Sequence, residues 1–85
     1  MRTLRSGVYV TAIGRELGIA APLIKAGRYR TANRPGHATC ALRGTDKYGT
    51  TTGNVILIKA RSWTVRLPAD TAVVEVAGPC TWRRV

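Results

Sequence analysis

Ser62-Trp63-Thr64-Val65-Arg66-Leu67-Pro68-Ala69-Asp70-Thr71-Ala72-Val73-Val74-Glu75-Val76-Ala77-Gly78-Pro79 is the stretch whose reading decides the fold. Over residues 62–67 the side chains alternate, with Trp63, Val65 and Leu67 on one face and Ser62, Thr64 and Arg66 on the other. A period of two belongs to a strand with one face in a core and the other in water. Leu67-Pro68-Ala69-Asp70 then turns the chain, because Pro68 presets the φ that a turn needs. Residues 72–77 return with Val74 and Val76 inward, and Gly78-Pro79 breaks the strand. Read locally, the pair is a hairpin.

The same pattern extends in both directions. After the break, Cys80 and Trp82 share one face and Thr81 and Arg83 the other. Upstream, residues 54–59 contain Val55-Ile56-Leu57-Ile58, a run without alternation that predicts a strand buried on both faces at the centre of the core. Residues 44–53, polar and rich in Thr and Gly, read as an exposed connection, and residues 38–43 as a strand. Asn33-Arg34-Pro35-Gly36 has the chemistry of a type II turn. Residues 23–31 read as a strand interrupted near Ala26-Gly27, with Tyr29 and Thr31 on one face and Arg28 and Arg30 on the other. Residues 7–13 form the first strand, Val8, Val10 and Ala12 sharing a face. Residues 14–21 read as a loop, since Pro22 disfavours a helical Ala21 and two glycines weaken a helix. The expectation is an all-β chain: an antiparallel β-sandwich or partly open barrel of about seven short strands over residues 7–85, preceded by a basic arm at residues 1–6.

At 85 residues the chain makes one domain, which buries only about two-thirds of its unfolded surface. It has no Phe, three Tyr and two Trp, so the core rests on Val, Ile, Leu and Ala. A homo-oligomer or a docked state would add to so thin a core. Fourteen Lys and Arg against four Asp and Glu give a net charge of +10, and eleven of the fourteen are Arg. Arg makes bidentate contacts with carboxylates and phosphates, so the partner is expected to be acidic. Nucleic acid, an anionic membrane and an acidic protein surface all qualify, and a merely solvated basic surface has the same composition. The candidate partner-binding residues are Arg2, Arg5, Arg28, Arg30, Arg34, Arg66, Arg83 and Arg84. No stretch approaches the roughly 20 apolar residues of a membrane span, and the N-terminal residues lack the continuous apolar region of a leader.

Chemistry has few footholds. Cys40 and Cys80 both point inward from strands and suit a disulfide better than a metal site, with two reduced core cysteines as the alternative. His37 with Cys40 and Cys80 matches no strong zinc spacing, and His37 with Cys40 as base and nucleophile would need a third, orienting group, for which Asp46 is the nearest guess. Glu16, Asp46, Asp70 and Glu75 are scattered singly among the arginines, so paired-carboxylate catalysis has no support. Gly44-Thr45-Asp46-Lys47-Tyr48-Gly49 reads as a loop and not as a phosphate cradle. Tyr29 has the opposite parity to Arg28 and Arg30, and Trp63 and Trp82 read as core. Stacking on nucleic-acid bases is thereby weakened, while simple phosphate contact is untouched. No catalytic residue, cofactor or metal is assigned.

From Ile24 onward the order of motifs resembles a small β domain of secreted and surface proteins of actinobacteria and of virion proteins of their phages. That domain opens with an apolar residue and Pro-Gly-Thr-Tyr-Arg-Thr, carries a Cys, runs through several strands, and closes with a Cys and a Trp two residues later. Ile24-Lys25-Ala26-Gly27-Arg28-Tyr29-Arg30-Thr31 matches the opening, Cys40 the first cysteine, and Cys80-Thr81-Trp82 the close. Ala26 stands where the pattern has Pro, and Ala41 and Leu42 replace an aromatic residue. The resemblance implies a β domain pinned by a Cys40–Cys80 disulfide and used for interaction. On that basis the expected function is a bacteriophage capsid decoration or minor virion protein, bound to an acidic lattice of the major capsid protein, with the arm ordering on docking. A small nucleic-acid-binding protein and a secreted interaction domain are the alternatives.

Overall fold

A strand that buries every second side chain needs another layer to bury it against. The computed structural model, which describes residues 3–32, 39–57 and 62–85, supplies that layer as a second sheet. In chain order the elements are β1 (Thr3–Leu4), β2 (Gly7–Val10), α1 (Ala12–Glu16), β3 (Gly27–Ala32), β4 (Cys40–Asp46), β5 (Thr51–Leu57), β6 (Ser62–Leu67), β7 (Thr71–Ala77) and β8 (Trp82–Arg84). They make two four-stranded antiparallel sheets, ordered β1-β8-β3-β6 and β2-β7-β4-β5. The architecture is an all-β sandwich, with eight strands among the described residues where about seven were expected.

The core lies between the sheets. Leu4, Tyr29, Val65, Leu67 and Trp82 of the first meet Tyr9, Leu42, Leu57, Val74 and Val76 of the second. Cys40 of β4 and Cys80, two residues before β8, form a disulfide across this interface with their Cα atoms 5.8 Å apart. Neither cysteine can therefore ligate a metal or act as a nucleophile in this state. Two buried tyrosines anchor places where the chain changes sheets. Tyr9 Oη donates to Arg5 O and accepts from Arg5 N, both at 2.9 Å, and Tyr29 Oη donates to Lys25 O at 2.6 Å. Connections off the ladder leave backbone groups to satisfy, and a tyrosine hydroxyl reaching out of the core does so.

Sheet membership is where local reading gives way. Among the described residues, only β4 and β5 are consecutive strands that pair. The turn after β6 forms as expected, Thr71 N donating to Pro68 O at 3.0 Å. It carries the chain from the first sheet to the second, so β6 and β7 are not the hairpin that the alternation suggested. Leu67 and Thr71, at 1% and 0% exposure, are buried on either side of this turn, which bends around the core and not along an edge. The true hairpin runs through residues 44–53, expected as an exposed connection. Its turn is closed by Asp46 Oδ1, which accepts from Tyr48 N at 2.8 Å and Thr50 N at 2.9 Å.

Five further expectations need correction. The apolar run at residues 55–58 is not central: β5 is an edge strand, with Leu57 inward at 5% exposure and Ile56 outward at 63%. Ile58 lies outside the described residues. Trp63 has inward parity but is 52% exposed, because it sits at the start of β6, beyond the packed cluster that takes Val65 and Leu67. The first strand stops at Val10, whose N donates to Pro22 O at 3.0 Å and whose O accepts from Ile24 N at 2.8 Å. Tyr9 and Val10 are thus both buried while Val8 is exposed. Residues 12–16 then form α1 in place of strand and loop. Gly14 permits it, since a Cβ there would strike Ala72 O and approach Val10 Cβ at 2.9 Å, and this packing overrides weak helix propensity. Finally, Thr3 and Leu4 do not belong to a free arm. They pair with Arg83 and Trp82, and Leu4 is wholly buried. Met1, Arg2 and the turn at residues 33–36, with Arg34 and His37, lie outside the described residues.

Candidate anion-binding face

β3 and its two neighbours decide where the arginines go. Tyr29, Thr31, Val65, Leu67 and Trp82 face the core, so alternation sends Arg28, Arg30, Arg66 and Arg83 to the opposite side, and all four are exposed. Register then gathers them. Arg28 lies directly across from Arg66 on β6, and Arg30 directly across from Arg83 on β8. The four form a staggered block across three strands on the outer face of the first sheet, with Arg66 and Arg83 on opposite sides of β3. Strand geometry sets their Cα atoms about 5 Å apart across the sheet and about 7 Å apart along β3. For neighbouring members of the block that spacing lies within a Debye length of about 8 Å at physiological ionic strength, so each arginine feels the charge of the next. Thr64 beside Arg30 and Thr3 beside Arg83 continue the polar face outward.

No carboxylate side chain answers these charges. Glu16 is on α1, Asp46 and Asp70 sit at turns, and Glu75 is on β7 in the other sheet, in register with Arg43. Among the described residues no ion pair is formed. Like charges directly opposite on neighbouring strands destabilise a sheet, so this block has an energetic cost that no carboxylate side chain offsets.

The remaining candidate residues are distributed differently. Arg5 is exposed on the connection from β1 to β2, away from the block. Arg84 is in register with Tyr29 at the end of β8, and its Nε donates to Ala26 O at 3.2 Å. The aromatic residues do not join the arginines. Tyr9, Tyr29 and Trp82 are buried, Trp63 is exposed at the inward-facing start of β6, and Tyr48 stands at the β4–β5 turn with Lys47 Nζ 5.2 Å from its ring centre. Among the described residues, no cluster of three or more His, Cys, Asp or Glu could hold a metal, and no helix is long and apolar enough to cross a membrane. The chain matches no protein-family model, and no curated protein or solved structure is significantly similar to it.

Proposed function

We propose that the chain is a non-catalytic interaction domain that docks the Arg28–Arg30–Arg66–Arg83 face onto an acidic protein surface. The observation that carries this reading is the pairing of arginine with arginine across both β3–β6 and β3–β8, outward and without a countercharge. An incoming acidic surface converts that cost into attraction, and the flat face of a sheet suits a broad protein surface better than a small substrate. The lack of an aromatic residue on this face argues against stacked single-stranded bases. The resemblance of the opening and closing motifs to virion proteins favours the acidic lattice of a capsid, where many weakly bound copies gain by avidity. The Cys40–Cys80 disulfide suits a protein that works outside a reducing cytoplasm.

Co-sedimentation with undecorated capsid shells of acidic exterior, beside a gel shift with duplex DNA over a salt series, tests the partner class. The reading expects saturable, stoichiometric binding to shells and only salt-labile DNA binding. Tight DNA binding without shell association would overturn it in favour of a nucleic-acid-binding protein.

A further inference from the structure

At the edge of the arginine face, Gly27, Arg28, Arg66, Arg84 and Val85 line an open concavity of about 510 Å³. Three of these five residues carry a guanidinium, against the single main-chain carboxylate of Val85 in the 85-residue chain. Arg28 and Arg66 flank it as a cross-strand pair. Arg84 comes from the adjacent strand and is tied in place, its Nε donating to Ala26 O at 3.2 Å. One of its five N–H groups is used in that bond, and the four on the terminal nitrogens are left for a ligand.

Gly27 makes room for this arrangement. Its φ is +136°, a conformation that residues with a Cβ rarely adopt. A Cβ there would also lie 3.0 Å from Arg84 Nε and 3.1 Å from one terminal nitrogen. The guanidinium of Arg84 thus lies against bare backbone, and a side chain already held this way has less freedom to lose on binding.

We propose that this concavity is a binding site for a phosphate group, either the free ion or a phosphate monoester. A carboxylate has two oxygens and one charge, which a single arginine fork satisfies. Three guanidiniums around one space match a tetrahedral dianion with three or four acceptor oxygens. The volume also exceeds what the phosphate itself needs, which leaves room for an ester group. The site shares Arg28 and Arg66 with the docking face and differs from it in its other residues. Arg84 belongs to the concavity and not to the outward block, whereas Arg30 and Arg83 belong to the block and do not line the concavity.

The test is an NMR titration of the full chain that follows the arginine Nε–Hε signals and the Gly27 amide. The probes are inorganic phosphate and phenyl phosphate, with acetate at matched ionic strength. The wild type should show saturable shifts at Arg84 and Gly27 with both phosphates, with a Kd on the order of 1 mM, and no saturation with acetate. Arg84→Ala should weaken phosphate binding at least tenfold and Arg83→Ala less than twofold. Arg84→Lys, which keeps the charge and the stem but loses the fork, should weaken it several-fold and covers the case that Arg84→Ala does not fold. Tighter binding of phenyl phosphate assigns the site to a phosphorylated ligand, and tighter binding of inorganic phosphate assigns it to the free ion. Equal responses to acetate and phosphate, or equal affinities of Arg84→Lys and wild type, would overturn the proposal. Loss of shell docking in Arg30→Thr/Arg83→Thr, with phosphate binding weakened far less than by Arg84→Ala, separates the two sites.

Discussion

Arg30 faces Arg83 and Arg28 faces Arg66, each pair outward on neighbouring strands of one sheet. A residue kept for partner binding at a cost to the fold has a signature: replacing it helps stability and harms function. Arg83→Thr should raise the melting temperature by about 2–4 °C at low ionic strength, from a few tenths of a kcal/mol of relieved repulsion. The gain should shrink in 0.3 M salt as screening takes over, and the same variant should bind acidic shells more weakly. Thermal melts at two salt concentrations check the first part. The outward direction of Arg28, Arg30 and Arg66 was legible from the sequence, because parity alone sets it against Tyr29, Thr31 and Val65. Their convergence was not, since no local signal states which strands are neighbours or in what register. The position of Arg84 over Gly27 was equally hidden, because it depends on one backbone dihedral.

β5 is the element in which the energetics depart most from a plain reading of hydrophobicity. An unbroken apolar run normally marks a strand buried on both faces, yet here it ends an open sheet, and Ile56 faces outward beside Ala41. Leu57→Ala should therefore cost about 2–4 kcal/mol, while Ile56→Thr should change stability by less than about 0.5 kcal/mol. Chemical denaturation of both variants separates an edge strand from a central one, for which the two costs would be alike. The disulfide is the other element-scale support. Closing a loop between positions 40 residues apart contributes about 4 kcal/mol in the chain-entropy model. Cys40→Ala/Cys80→Ala should lower the melting temperature by about 15–30 °C or leave the chain unfolded at 37 °C, and a reductant should have a similar effect on the wild type. Both cysteines were readable as inward-facing, although Cys80 precedes β8 and does not lie on a strand. The helix α1 was not readable, because it forms around the contact of Gly14 with β7 and not from helix propensity.

On the scale of the whole molecule, the chain passes repeatedly between two sheets, and this explains most of what the sequence concealed. Alternation, turns and core residues are properties of neighbours in the chain, and they were legible: Tyr29, Val65, Leu67, Val74, Val76, Cys40, Cys80 and Trp82 are all buried. Sheet membership depends on which distant strands close the sandwich, as with the Pro68 turn and with β1. Because Leu4 packs beside Trp82 inside the core, removing residues 1–6 should destabilise the fold and not merely free a docking arm; a truncated chain with an unchanged melting temperature would contradict that. The central claim is that one face of the molecule, the outer side of β3, β6 and β8, carries its binding. Equilibrium binding of two folded variants to acidic capsid shells tests it most directly: Arg30→Glu/Arg83→Glu on this face, and Arg43→Glu on the outer face of the other sheet. The account predicts at least a hundredfold loss for the first and less than threefold for the second. Equal losses in both variants, or none in either, would contradict it.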